Sequence, residues 1–134
     1  MTEDRPPTSP RPHLTGWLGI VLSAPHARPL AYFYRDLLGW PLQTDEPDWC
    51  TMQIPRASAN LAFQSEEHYS PPAWPAGPGQ HHMMLHLDIG ASDVAGAVAA
   101  AEELGARLAQ FQPQDDVRVM LDPAGHPFCL YADG

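Results

Sequence analysis

The chain has 134 residues, 44% of them hydrophobic and 9% aromatic, which suits one folded domain and is too apolar for a disordered chain. Its formal net charge of −9, from 16 acidic against 7 basic residues with no basic cluster, excludes a nucleic-acid footprint. No apolar run approaches the roughly 18 residues of a membrane span, the first seven residues lack the build of a signal peptide, and Cys50 and Cys129 lack zinc-ribbon spacing, so two free thiols in the cytoplasm are expected.

Residues 1–13 carry four prolines among polar residues without apolar periodicity, which predicts a disordered tail ahead of a single domain over 14–134. Trp17 to Ser23 alternates as a strand, with Leu18, Ile20 and Leu22 on one face and Trp17, Gly19, Val21 and Ser23 on the other. From Ala27 to Leu38 the apolar set Leu30, Phe33, Tyr34, Leu37 and Leu38 recurs at helical spacing, Pro29 suits a first turn and Gly39 a stop. Residues 48–54 and 61–64 read as short strands around the turn-rich segment 55–60. Residues 65–80 hold four prolines and two glycines and form a connection, in which the bulky Tyr69 and Trp74 predict pinning to the surface.

Met83 to Ile89 alternates again, placing Leu85, Leu87 and Ile89 on a packed face and Met84, His86 and Asp88 on an open one. Ser92 or Asp93 caps a helix running to Leu104 with Val94, Ala97, Val98 and Ala101 on its apolar stripe, ended by Gly105. Val117 to Leu121 and Phe128 to Tyr131 then form a hairpin around the turn 122–127. Gly19 and His86, Gly39 and Gly105, and Pro55 and Pro123 stand 67, 66 and 68 residues apart, so the chain is a duplication. Its modules are 16–64 and 81–132, joined by the Pro-rich linker 65–80. Each is too small to bury its own sheet. The fold class is therefore α+β, with two tandem βαβββ modules forming a concave mixed sheet, helices outside and a cleft within.

The open-face residues are the candidates for function. His86 is the candidate catalytic group, since histidine alone titrates near neutral pH. Asp88 lies two residues on, placed to orient His86 or to meet a cationic group. Trp17, Met84, Met120 and either Trp49 or Met52 alternate onto the cleft side and suit an apolar or planar ligand. Arg118 shares the face of Met120 and is placed to hold an anionic group or to lie on the surface. Cys129 is a packing residue or a nucleophile. His26, His68 and His126 fall in loops or turns, where a solvated side chain is expected.

The segments Ala31-Tyr32-Phe33-Tyr34-Arg35-Asp36-Leu37-Leu38-Gly39-Trp40, His86-Leu87-Asp88-Ile89, Leu104-Gly105-Ala106 and Asp122-Pro123-Ala124-Gly125-His126-Pro127-Phe128-Cys129-Leu130 resemble the vicinal oxygen chelate superfamily. Glyoxalases, extradiol dioxygenases and bleomycin-resistance proteins make up that group, and the resemblance, nearest to glyoxalase-like proteins of actinobacterial type, spans residues 16–131. It implies a divalent metal held by four side chains, from the first and last strand of each half. At those positions this chain has Gly19, Ala62 or Gln64, His86 and Cys129, so His86 is the one metal-ligand type in place and Gln64 and Cys129 are substitutes. The expected function is a small-molecule-binding protein with an incomplete metal site, taking an apolar or planar organic ligand; the alternative is a metal-dependent lyase, isomerase or dioxygenase using His86. The resemblance also implies a homodimer.

Overall fold

One order of strand, helix and three strands occurs twice in the computed structural model, which describes residue 9 and residues 11–133. The predicted tail over residues 1–13 therefore lies mostly outside the described residues. The first copy comprises β1 (Leu18–Ala24), α1 (Ala27–Leu38), β2 (Thr44–Glu46), β3 (Trp49–Gln53) and β4 (Ala59–Ser65). The second comprises β5 (Leu87–Ala91), α2 (Val94–Glu103), β6 (Arg107–Leu108), β7 (Val117–Leu121) and β8 (Pro127–Ala132). Each forms a four-stranded mixed sheet, ordered β1-β4-β3-β2 and β5-β8-β7-β6, with β1/β4 and β5/β8 parallel and the other pairs antiparallel. Among the described residues no helix is long and apolar enough to cross a membrane.

Helix α1 occupies the span its periodicity predicts and ends at Gly39, whose φ of 76° lies in the left-handed region and whose N–H donates to the Arg35 carbonyl at 2.9 Å. Its buried stripe of Ala27, Leu30, Ala31, Phe33 and Tyr34 covers the back of the first sheet. Leu22, Cys50, Met52, Leu61 and Phe63 meet it there. On the second sheet Met120, Phe128 and Leu130 point to the same side, joined by Ala101 of α2. One apolar core thus runs under both sheets, and each large side chain fully buried in it contributes about 1.5–3 kcal/mol.

Tyr34 ties the two halves together. Its ring stacks on Phe63 of β4 at 5.7 Å and meets Phe128 of β8 edge-on at 6.1 Å. Its hydroxyl donates to Asp122 Oδ2 at 2.7 Å, in the turn before β8. Asp122 is only 1% exposed, a charge that is tolerated in the core because it is fully hydrogen-bonded. The backbone N–H groups of Ala124 and His126 donate to its Oδ1 at 2.9 and 3.0 Å, and His126 Nδ1 lies 2.9 Å from Oδ2. His126, expected in solvent, is instead a mostly buried partner of this carboxylate, because the turn that carries it folds back onto the aspartate. Tyr69 of the connection closes the cluster, donating to the Ala124 carbonyl at 2.8 Å with His126 Nε2 at 3.3 Å.

The structure corrects several side-chain placements. Met120 was expected in the cleft, yet it is fully buried on the helix side of its sheet; of the alternatives Trp49 and Met52, Met52 is likewise buried there, whereas Trp49 is exposed. The strand expected from Met83 begins only at Leu87, and Met84, 91% exposed, is not part of the cavity wall that holds His86. Extending the β5/β8 register sets Met84 and Leu85 against the turn residues Gly125 and His126, and His86 against Pro127, which has no N–H to donate. Short β2 and β6, which the expected βαβββ order requires, had not been located in the sequence.

Tyr34→Phe is expected to lower stability by about 1.5–3 kcal/mol, because a buried carboxylate loses a hydrogen-bond donor. A thermal melt should register this as roughly 4 °C for each kcal/mol, and an unchanged melting temperature would refute the role given to Tyr34. Burial and the adjacent Asp122 charge raise the Tyr34 phenol well above its ordinary 10.0, and the same two causes push Tyr69 up to about 12. Both folded-state values exceed the unfolded one, so this contribution is fully present below pH 10 and is lost as the pH rises toward and through about 12. Melts at stepped alkaline pH should show that decline, and it should be smaller in the Tyr34→Phe variant.

Candidate functional site

The open face of the second sheet carries the densest group of chemically active side chains. His86 and Asp88 flank Leu87 and project to one side, as residues two apart on extended backbone must. Cys129 stands beside Asp88 because Asp88 and Cys129 are paired in the parallel β5/β8 register. His86 Nε2 lies 3.0 Å from Asp88 Oδ1, with the His86 side chain 28% and the Asp88 side chain 62% exposed. Donor atoms of His86, Asp88 and Cys129 all fall within 4.8 Å of one another. Burial and the charge of the neighbouring Asp88 carboxylate push the Cys129 thiol up to about 11. Free of any cation, Cys129 is therefore protonated at neutral pH and is a poor nucleophile.

These residues open into a cavity of about 520 Å³ whose other walls include Trp74, Asp116 and Tyr131, with Val117 and Val119 as its apolar floor. Trp74 is the residue that strand periodicity misses. It sits in the Pro-rich connection, stacks on the His86 ring at 4.9 Å and 23°, and is braced edge-on by Phe111 at 5.3 Å. The connection holds it in place through hydrogen bonds from Ala73 N to the His81 carbonyl and from Met83 N to the Ala73 carbonyl, at 2.7 and 3.1 Å. Its bulk in a segment of prolines and glycines was the signal in the sequence. Asp116 gave none, and Tyr131 only its alternation with Cys129 along the last strand.

Of the residues singled out from sequence, His86, Asp88 and Cys129 come together at this cavity and the others do not. Trp17 is 57% exposed and folds over Gly19 in the first half, lining a separate depression with Thr15, Gln43 and Asn60. Gln64 of β4 donates to Ser23 Oγ at 3.0 Å across the first sheet and is not part of the cavity wall. Arg118 points away from the cavity: its guanidinium donates to Gln112 Oε1 at 3.1 Å and to the carbonyls of Gln114 and Asp115 at 3.3 and 2.7 Å. It therefore holds the loop that forms one rim of the cavity instead of facing a ligand.

The four-ligand metal arrangement of the superfamily does not fit this chain. Gly19 supplies no donor, and a Cβ built there would meet the Trp17 ring at 2.8 Å. Gln64 donates its Nε2–H to Ser23 Oγ, which leaves Oε1 as a lone amide oxygen outside the wall of this cavity. All the donors that converge belong to the second half.

Comparison with known proteins places the chain. No curated protein matches it. Among solved structures, a glyoxalase/bleomycin resistance protein/dioxygenase family enzyme from Burkholderia phytofirmans PsJN superposes with a TM-score of 0.64 at 15% identity, over 85% of this chain and 95% of that one. A glyoxalase-related enzyme from Fulvimarina pelagi gives 0.66 at 18% identity, over 90% and 89%. Lactoylglutathione lyase from Agrobacterium tumefaciens gives 0.55 at 17%, over 96% of each chain. At these identities the likeness is one of fold. The glyoxalase-like domain family matches residues 19–131, nearly the whole of the described chain, and the protein belongs to that family, within the vicinal oxygen chelate superfamily.

Proposed function

We propose that this protein binds an apolar or planar organic molecule in the cavity beside His86, and sequesters or modifies it there, as a glyoxalase or bleomycin-resistance-like protein. The observation that carries this reading is the convergence of Trp74, His86, Asp88 and Cys129 on one cavity of about 520 Å³, a size within the range of small-molecule sites. Trp74 and Tyr131 offer aromatic surface and Val117 and Val119 an apolar floor. Asp88 and Asp116 are the charged groups of the wall and no lysine or arginine joins them, so anionic ligands are repelled and neutral or cationic ones favoured. The protein acts as a homodimer, the arrangement common in its superfamily, and its two free, buried cysteines suit the reducing cytoplasm.

A second reading, an enzyme of the lyase, isomerase or dioxygenase kind, is favoured by one contact. The 3.0 Å approach of Asp88 to His86 places a carboxylate beside the imidazole nitrogen, an arrangement suited to orienting the ring for acid/base work. Trp74 stacking fixes the ring plane. A His86→Ala variant that retained full turnover on a substrate of the wild-type protein would end this reading.

Thermal-shift measurements against neutral, cationic and anionic planar metabolites test the binding reading. A neutral or cationic compound at one hundred times its Kd is expected to add about 2.7 kcal/mol of stability, and Trp74→Ala and His86→Ala are each expected to weaken binding tenfold or more. If no compound of any charge raised the melting temperature, ligand sequestration would be abandoned. Asp116→Asn is expected to reduce the preference for cationic over neutral ligands about fivefold, since one charge across a solvated cavity is worth about 1 kcal/mol. Equal affinities before and after that substitution would remove Asp116 from ligand selection.

A further inference from the structure

We infer that the groove on the other side of Trp74 from His86 is a second small-molecule site, taking a flat aromatic molecule that carries a carboxylate, with Arg107 meeting the anion. This goes beyond the reading of the His86 cavity and does not rest on it. The two spaces share the Trp74 wall and no other residue.

The groove holds about 620 Å³, within the range of small-molecule sites. Its floor comes from the β6/β7 ladder, where Arg107 pairs with Leu121 and Ala109, two residues on, continues the ladder by donating to the Val119 carbonyl at 2.9 Å. Arg107, Ala109 and Leu121 therefore present their side chains on one face. That face also carries Val117 and Val119, the floor of the His86 cavity, so Trp74 divides one open face into two compartments. Its walls are Trp74, Phe111 braced against it at 5.3 Å, and the rings of Pro71, Pro72 and Pro75. The prolines restrict the backbone of that wall, and two contacts hold it to the body. Tyr69 donates to the Ala124 carbonyl at 2.8 Å, and Pro71 lies so close to Gly125 that a Cβ there would stand 2.9 Å from the Pro71 Cβ. The groove is thus formed before any ligand arrives, which lowers the cost of binding.

Charge selects the ligand. The chain carries a net −9, yet no aspartate or glutamate lines this groove, and Arg107 is its one charged side chain. Arg28 and Arg35 are paired with Asp45 and Asp36, and Arg118 is spent on the loop at 112–115. Arg107 is exposed and makes no ion pair among the described residues, so its guanidinium fork is left to take a carboxylate through two parallel hydrogen bonds. Trp74 and Phe111 supply the faces against which a flat apolar body packs. Asp88 and Asp116 stand in the other compartment, so an anion repelled there is accepted here.

Calorimetric titration of the untagged protein with 2-naphthoate and with its neutral counterpart 2-naphthamide tests the site, and backbone amide shifts in NMR spectra locate each probe. One 2-naphthoate is expected per chain, bound roughly fivefold or more tighter than the amide, with shifts gathered at Arg107, Ala109, Phe111 and Gly125. Arg107→Gln should bring the two probes to equal affinity, whereas Arg56→Gln, at an exposed arginine outside the groove, should leave the preference intact. Phe111→Ala should weaken both probes. Absence of saturable 2-naphthoate binding, a preference that survives Arg107→Gln, or shifts centred on His86 and Cys129 would overturn the inference. The shift pattern also separates the two sites. Planar compounds that move His86 and Cys129, with no 2-naphthoate bound at Arg107, overturn only the second site; 2-naphthoate at Arg107, with no compound reaching His86, overturns only the reading of the first cavity.

Discussion

A single buried hydrogen bond, from the Tyr34 hydroxyl to Asp122, decides how the two halves of this chain meet. Neither half covers its own sheet with enough apolar surface to stand alone, and the helix of the first must share its face with the strands of the second. Aromatic contacts supply most of that attraction, but they are tolerant of direction. The Asp122 carboxylate is not, because a charge with almost no exposure must find all its donors or pay desolvation. Tyr34, two backbone N–H groups and His126 meet that demand in one geometry only. The turn they fix leads straight into β8, so the same network sets where Phe128 enters the core and where Cys129 leaves it.

From β8 the argument reaches the cavity. Alternation sends Phe128 and Leu130 down and Cys129 and Tyr131 up, and the parallel ladder carries that register to β5, where Leu87 and Ile89 point inward and Asp88 outward. His86 stands just beyond the ladder, on the last residue before the chain enters the strand. Freed from ladder pairing, it depends on neighbours for its orientation, and it has two: the Asp88 carboxylate and the Trp74 ring. The Pro-rich connection is thus part of the site. Its prolines restrict the backbone that presents Trp74, and Tyr69 pins the same segment to the Asp122 turn.

How much of this was legible in the sequence follows from what periodicity encodes. Helix α1 was readable residue by residue, since its apolar stripe, Pro29 and Gly39 all act locally. The duplication was readable because landmarks recur at nearly one offset. Alternation, however, divides a strand into two faces without saying which one the helix covers, and so Met120 was placed on the wrong side and the choice between Trp49 and Met52 stayed open. It also says nothing about where a partner strand ends. Met83 to Leu85 alternates well, but the residues that would pair with them form the turn that Asp122 organises. Strands β2 and β6 are too short and too polar for any pattern to appear. Trp74 and Asp116 reach the cavity through tertiary contact alone, and no spacing rule links them to His86.

The two halves share a fold but have parted in chemistry, and the physical reason lies in what sits on each open face. In the first, the Trp17 ring lies over Gly19 and Gln64 donates its amide N–H to Ser23, and no cluster of histidine, cysteine and carboxylate gathers there among the described residues. In the second, His86, Asp88 and Cys129 are brought within reach of one another and of solvent, with an exposed carboxylate left partly unpaired. A scaffold that must keep one core under both sheets constrains the inward faces of β1, β4, β5 and β8 together. The outward faces carry no such constraint, and a change on one of them costs little stability. Function could therefore be lost from one half and concentrated in the other while the Tyr34 network held the pair in register.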